Sequence, residues 1–569
     1  MKLTRLIVVI GIVSITLSGC KTNKSTATNT TTVAPKMITS EGAVAKGSTL
    51  TKEQILSWPH MDIQKDGVPG ISLDRAYEFV KNKKATTVIV GIIDSGVDIE
   101  HEDLKDVLWT NPKEIANNGK DDDNNGYIDD MHGWNFLGGD RVLAPEQLEI
   151  TRLMVIQSPK FEGKTIDQIA DADKADFKKF AALKADFTKR YQEASGQKVF
   201  YTGLKKSLGT ANDFLVKELG KEKFTLEEVS KYAENPAVKP VMMYMPRVLT
   251  GNETLGKSVE DLQGAIDHFA SQVDIMYNLD FKGRVTGDDP DNWDDKHGYG
   301  NNIVLGGGKE ELHGTHVAGI VAASRNNGIG MNGVAAHVEI MTARAVPDGD
   351  EYDKDVAKAI RYVVDNGAKV VNMSFGKGYS PHSDWVYDAF RYAEKHDVLL
   401  VKAAGNDGHD IDLAKNLHYP TDSPDNGAIE ITDNILTVGA MTRHFDEKLC
   451  ASFSNYGKTR VDIFAPGLEI YSTVPKDNGY LSIQGTSMAS PEVAGVAAMV
   501  RSYYPKLTAK QVKYIIINSG IEYNGDVITP GSVSEENPNG EIVNFTKLSV
   551  KGRILNAYNA LLMADQMSK

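Results

Sequence analysis

Cysteine is nearly absent from this chain: its 569 residues include two, Cys20 and Cys450. No disulfide framework can therefore carry the fold, and stability has to come from a buried core, with bound metal as a supplement. A basic excess is missing too, since 63 Lys and Arg stand against 77 Asp and Glu, a net charge of −14. No basic excess is available to neutralise a phosphate backbone, which argues against nucleic acid as the main partner. Long apolar runs are also lacking; the N-terminal run, Leu6–Val13, is too short to cross a bilayer. No internal repeat is visible. What is present is an ordinary globular composition, 41% hydrophobic and 25% charged, enough to bury a sizeable core.

The first residues read as an address rather than as fold. MKLTRLIVVIGIVSITLSGC places Lys2 and Arg5 before the apolar run and small residues after it, the pattern of an export signal. Its end, Leu17-Ser18-Gly19-Cys20, resembles the bacterial lipoprotein box. That resemblance implies loss of residues 1–19, lipidation of Cys20 and a membrane anchor in the cell envelope, facing the periplasm or the outside. The Thr-, Asn- and Ser-rich stretch that follows opens a polar tether over 20–55. It is short for a separate inhibitory pro-domain. Cys450 is then left without an intrachain partner.

Five stretches are continuous apolar runs: TTVIVGIID (86–94), HVEIMTARAV (337–346), AKVVNMSF (368–375), DVLLVKAAGN (397–406) and NILTVGAM (434–441). Continuous rather than alternating apolarity fits parallel strands covered on both faces. Helical patterns lie between some of them, at 352–367 and 385–397. The alternation predicts an α/β doubly wound sheet with its sites at the carboxyl ends of the strands. Residues 138–296 read differently. Phe177, Phe180, Leu183, Phe187 and Tyr191 share one helical face, and Thr225 with Glu228 forms a capping-box pattern. Val259, Leu262, Ile266, Phe269, Val273 and Met276 have the spacing of a helix–helix seam. This segment is expected to be a mainly helical insertion with an antiparallel pair, dividing the rest into 56–137 and 297–569.

Candidate chemistry gathers at strand ends. Asp94 closes the first apolar run, where a carboxylate is held and partly desolvated, although Asp-Ser-Gly alone is more often a turn. In ELHGTHVAG, His313 and His316 stand three apart at a helix start, without the HExxH spacing of a zinc site. Asn406 follows Gly405 at another strand end, where its amide could donate to a developing oxyanion. QGTSMASPEVAG surrounds Ser487 with small residues at the mouth of a helix. Serine is a weak nucleophile at its free pKa and needs a base and an orienting acid.

Asp94, His313 and Ser487, in that order, resemble the triad of the subtilisin-like serine peptidases, the subtilases. The resemblance spans roughly 75–137 and 297–560 and includes DSGVD, HGTHVAG, NMSFG, AAGN, GTSMASP and GRILNAYNAL. It implies a subtilisin-like three-layer fold with a mainly parallel central sheet, and a serine endopeptidase acting on polypeptides through an acyl-enzyme. By the same resemblance His313 is the base, Asp94 orients it, and Asn406 with the Ser487 N–H holds the oxyanion. Ser374, Phe375 and Gly376 would present an open strand edge to substrate, with Gly405 beside it. Two departures stand out. Glu492 occupies a position where the family commonly has histidine, and His313 follows Asp94 by 219 residues because of the insertion. A catalytically silent peptide-binding protein of the envelope is the competing reading; the four intact residues argue against it. HGTHVAG argues against an acid-acting relative with a carboxylate in place of His313.

NNGKDDDNNGYIDDMHGWNF (117–136) copies much of the ligand rhythm of a calcium loop, and subtilases often bind structural calcium. The expected ligands are Asp121, Asp123, Asn125, the Tyr127 carbonyl and Asp129. Position 12 is His132, so Asp130 would have to replace the closing Glu. GDDPDNWDDKHGYGNN (287–302) is a poorer candidate, with Asp288, Asp289, Asp291, Asp294 and Asp295. Asp407, next to Asn406, would favour a basic residue before the cut.

Overall fold

The computed structural model describes residues 35–139, 144–249, 254–305, 312–424 and 429–569. The signal segment and Cys20 lie outside them. All five apolar runs become strands: β1 (Val88–Asp94), β3 (Val338–Arg344), β4 (Val370–Met373), β5 (Leu399–Ala403) and β6 (Ile435–Met441). With β2 (Gly133–Asn135) and β7 (Ile463–Pro466) they form a parallel sheet in the order β7-β6-β5-β4-β1-β3-β2. A hairpin, β8 (Ile470–Val474) with β9 (Gly479–Ile483), stands apart from this sheet. Further along, β10 (Ile521–Glu522) and β13 (Arg553–Ile554) extend the sheet beyond β7, and β11 (Asp526–Ile528) pairs with β12 (Ile542–Asn544). These short strands carry little apolar pattern of their own, and the sequence reading did not anticipate them.

Strand residues alternate between two cores, as a period of two requires. Val88, Val90 and Ile92 face one, while Ile93 faces the other. The first core is covered by α1 (Leu73–Val80), α5 (Leu312–Ala322), α8 (Thr486–Tyr503), α9 (Ala509–Ser519) and α10 (Ala557–Met567). The second is covered by α6 (Asp353–Asp365) and α7 (Ser383–Lys395). Helix, sheet and helix make the three expected layers.

The insertion is helical, as expected. It contains α2 (Glu149–Phe161), α3 (Lys174–Leu219) and α4 (Leu255–Ser271), the last running on into a π-helical turn at Gln272–Met276. The 46 residues of α3 extend about 69 Å. α4 returns antiparallel along it: Lys198 meets Asp274 at 2.7 Å, Lys205 meets Gln263 at 2.5 Å, and Gly209 packs against Val259. The Thr225–Glu228 capping box is present. Of the predicted aromatic face, Phe180 and Leu183 are buried, Phe177 and Phe187 are half-buried, and Tyr191 is 38% exposed, because two helices cannot enclose every residue of so long a stripe.

One boundary moves. The tether predicted over 20–55 ends earlier, and the compact unit begins at Met37. Ile38 is buried, and its N–H and C=O are both bound by the Asn559 side chain of α10, at 2.7 and 2.9 Å. Two apolar residues, Met37 and Ile38, among polar ones do not announce such docking.

Candidate active site

The chain reverses its direction of winding at β1, with β3 on one side and β4 on the other. Such a switch point opens a crevice at the carboxyl ends of the strands, and Asp94, the last residue of β1, sits there 1% exposed. α5 approaches it closely because Gly314 has no side chain; a Cβ there would lie 2.1 Å from the Gly96 carbonyl oxygen. His313 Nδ1 donates to Asp94 Oδ1 at 2.7 Å, and the same oxygen accepts the Ser95 N–H at 2.8 Å. The acceptor fixes the tautomer and leaves Nε2 as the basic nitrogen. Burial pulls the His313 pKa down, but the Asp94 charge and hydrogen bond outweigh it and raise the value above its ordinary 6.5. His316, by contrast, is buried with Nε2 between the Ile470 and Leu481 carbonyls, each at 3.0 Å, where it pins the β8–β9 hairpin. Burial lowers its pKa to about 4.

Ser487 is the second residue of α8. Pro491, four residues later, has no N–H to give the Ser487 carbonyl. Ser374 Oγ supplies the missing donor at 2.8 Å, and is itself held by Asn372 Nδ2 and beside Ser490 Oγ, both at 2.8 Å. The Ser374 side chain thus supports the turn from below. Its carbonyl accepts the Ser487 hydroxyl at 3.0 Å, so the hydroxyl is directed to that edge. Asn406 Oδ1 accepts the Thr486 N–H at 2.8 Å and the Thr486 hydroxyl at 3.0 Å. The amide orientation is thereby set, and its NH2 remains to donate next to the Ser487 N–H.

All the residues expected to face substrate come together here. Asp94, His313, Asn406, Ser487, Ser374, Phe375, Gly376 and Gly405 line one cleft of about 600 Å³. The Phe375 ring packs in the second core. Gly405 has φ +102°, and a Cβ there would lie 2.3 Å from Asn455 Nδ2. Asp407 also lines the cleft; its N–H and carboxylate are bound by the Asn455 amide at 3.1 and 3.2 Å.

Several cleft residues carry no signal in the sequence, His418 and Glu351 among them. His418 packs its ring against both glycines; a Cβ on Gly376 would fall 2.0 Å from its Cε1, and one on Gly405 2.8 Å from its Cδ2. Burial and the Lys402 charge push its pKa down to about 4, against the pull of Asp407. Glu351, on the opposite wall, is pushed up to about 8 by burial and the neighbouring Asp350, despite Lys377. No local motif marks either residue, because only the tertiary fold brings them to the cleft. Glu492 lies in α8, buried, with no hydrogen-bond partner for Oε2 among the described residues, and burial pushes its pKa to about 8.

The acidic loop is organised differently from the predicted rhythm. Glu114, Asp121 and Asp123 bring carboxylate oxygens within 4.8 Å of one another. Glu114 was not foreseen, since it precedes the loop. The Asn125 side-chain oxygen instead accepts the Tyr127 N–H at 2.8 Å, and Asp129 accepts the Asn118 and Gly119 N–H groups at 3.0 and 2.8 Å. His132 Nδ1 bonds the Trp109 carbonyl, and Asp130 accepts from Tyr362, Asn111 and Asn125. In the second acidic stretch protein cations fill the centre. Asp288 binds Arg284 and Lys354, Asp295 binds Lys354, and Asp291 binds His382.

The profile of the Subtilase family matches residues 85–540. The thermophilic serine proteinase of Bacillus sp. (strain AK1) is 40% identical over 191 residues, which cover 33% of this chain and 42% of that protein. The cell wall-associated protease of Bacillus subtilis is 34% identical over 298 residues, 51% of this chain and 30% of that one. The chain therefore spans less than half the length of either relative. Among solved structures, one of proteases from Pseudoalteromonas arctica aligns over 90% of this chain and 98% of its own, with a TM-score of 0.44 and 18% identity. With the family profile covering most of its length, the chain belongs to the subtilase family.

Proposed function

We propose that the protein is a serine endopeptidase with Ser487 as nucleophile, His313 as general base and acid, and Asp94 as the group that orients the imidazole and stabilises its cation. The observation that carries this is the 2.7 Å Asp94–His313 bond in the same cleft as Ser487 and the oriented Asn406 amide. His313 Nε2 takes the Ser487 proton as the oxygen attacks the carbonyl carbon, and returns it to the leaving amine. The Asn406 NH2 and Ser487 N–H stabilise the oxyanion. Substrate adds as an extended strand along Ser374–Gly376. In the free protein the Ser487 hydroxyl bonds the Ser374 carbonyl; apo sites commonly tighten only when substrate arrives.

Cys20 carries a lipid that holds the enzyme on the cell envelope; the support is the export signal and the four matching box positions. Glu114, Asp121 and Asp123 would hold a structural calcium ion. Their support is hard oxygen donors held by backbone N–H groups at the right mutual distances. Bound there, the ion would neutralise the loop's charge.

A fluorophosphonate probe tests the central claim on the chain lacking residues 1–20. The parent is expected to label and Ser487→Ala is expected not to. A folded parent that stays unlabelled, with and without calcium, would leave a peptide-binding protein on this fold.

A further inference from the structure

A second cavity, of about 1110 Å³, lies beside the catalytic cleft and shares Gly376, Asp407 and His418 with it. One side is formed by the chain after Gly376, through Tyr379 to Pro381, and by residues 414–419. The other is one face of the insertion helix α3, where Lys179, Ala182, Leu183, Asp186 and Arg190 follow helical spacing. The two sides are tied together. Tyr379 donates to Asp186 of α3 at 2.9 Å, and Lys377 donates to Glu149 of α2 at 2.8 Å. The gap is thus a fixed groove rather than the slack of a loose arm.

Its continuity and its charge identify the occupant. Among the described residues no hydrogen bond engages the backbone N–H or C=O of Gly376, so the strand edge is open where the two cavities join. A substrate strand lying antiparallel to Ser374–Gly376 runs past Gly376 with the residues that precede the cleaved bond. Acidic groups in the groove already have partners: Asp186 holds Arg190 and Tyr379, Asp350 accepts the Glu149 N–H, and Asp407 accepts from Asn455. At the rim, Lys415 has no ion pair among the described residues, and Lys179 has only Asp176 at 3.5 Å. Apolar surface between them comes from Leu153, Ala182 and Leu417.

We propose that this groove is an exosite for the substrate polypeptide, binding an extended upstream segment with aliphatic and acidic side chains. The inference rests on the peptidase reading of the adjoining cleft. The insertion then acts as a specificity element that makes cleavage depend on sequence well before the cut.

Two peptides with the same residues at the bond test this, one short and one extended upstream by about eight aliphatic and acidic residues, ~26 Å of extended chain. The parent is expected to show a kcat/KM at least tenfold higher for the long peptide. Ala182→Trp, which fills the groove, and Lys415→Glu, which reverses the rim charge, are expected to bring that ratio towards one. Equal turnover of both peptides by the parent, or an unchanged ratio in Ala182→Trp, would overturn the exosite. Anisotropy of the fluorescent peptides on Ser487→Ala separates the two claims, because it needs no chemistry. Tighter binding of the long peptide, weakened by Ala182→Trp, supports the groove even if no peptide is cleaved; equal affinities refute it.

Discussion

The two acidic stretches of this chain handle the same problem in opposite ways. Around residue 288, carboxylates are drawn inward onto cations that the protein itself supplies. Lys354 Nζ, fully buried, reaches Asp288 at 2.7 Å, Asp295 at 2.6 Å and the Asp289 carbonyl at 2.7 Å, and Arg284 bridges Asp288 and Asp355. Around residue 121, Glu114, Asp121 and Asp123 converge, and among the described residues their one ion pair is that of Lys113, 4.0 Å from Asp123. Runs that look alike in sequence therefore differ in whether a lysine from elsewhere in the fold reaches them. The first needs no metal; the second is where a divalent ion would complete the charge.

The difference can be broken most severely at Lys354. Lys354→Met leaves Asp288 and Asp295 short of their shared cation, and denaturant unfolding should show a loss of about 3–5 kcal/mol. That loss should be the same with calcium or with a chelator. Next comes removal of calcium itself, which should lower the stability of the parent by about 2.7 kcal/mol from a starting point of one hundred times Kd. Asp121→Asn should shrink that calcium dependence, whereas Asp291→Asn should leave it unchanged; thermal scans across a calcium series read both. A parent insensitive to chelation would erase the contrast.

The smallest effect sharpens the comparison with a third case, Glu492, a buried carboxylate whose Oε2 has no hydrogen-bond partner among the described residues. Its pKa is raised from 4.5 to about 8 by burial, so the folded state holds a proton that the unfolded chain releases. The resulting penalty is absent below about pH 4.5, grows as pH rises towards about 8 and is constant above it. Glu492→Gln should therefore gain about 2 kcal/mol near pH 6 and more near pH 8, with no gain at pH 4. An equal gain at all three would mean that the effect is packing rather than ionisation.

The sheet was legible because its strands are buried on both faces, so their apolar runs are uninterrupted, and strand–helix alternation implies the doubly wound layering; the order of the strands was not legible. The groups around the cleft were legible where chemistry and local structure coincide: Asp94 at a strand end, His313 and Ser487 at helix starts, Asn406 beside a strained glycine. The short strands β10 to β13 were not, since two or three residues held by neighbours leave no periodicity. Nor was the docking of Ile38 on Asn559, which joins positions 521 residues apart.

By itself, then, the sequence determined which residues could carry the chemistry, the layered α/β architecture and the helical character of the insertion. Those properties are local, set by side-chain type and by spacing along the chain. The tertiary structure alone decided that Glu114 joins Asp121 and Asp123, that Lys354 balances the second acidic stretch, that His418 and Glu351 enter the cleft, and that α3 lies against Gly376–Pro381 to form a groove. Each of these is a meeting of segments distant in the chain, and burial and charge neutralisation act through space rather than along the sequence.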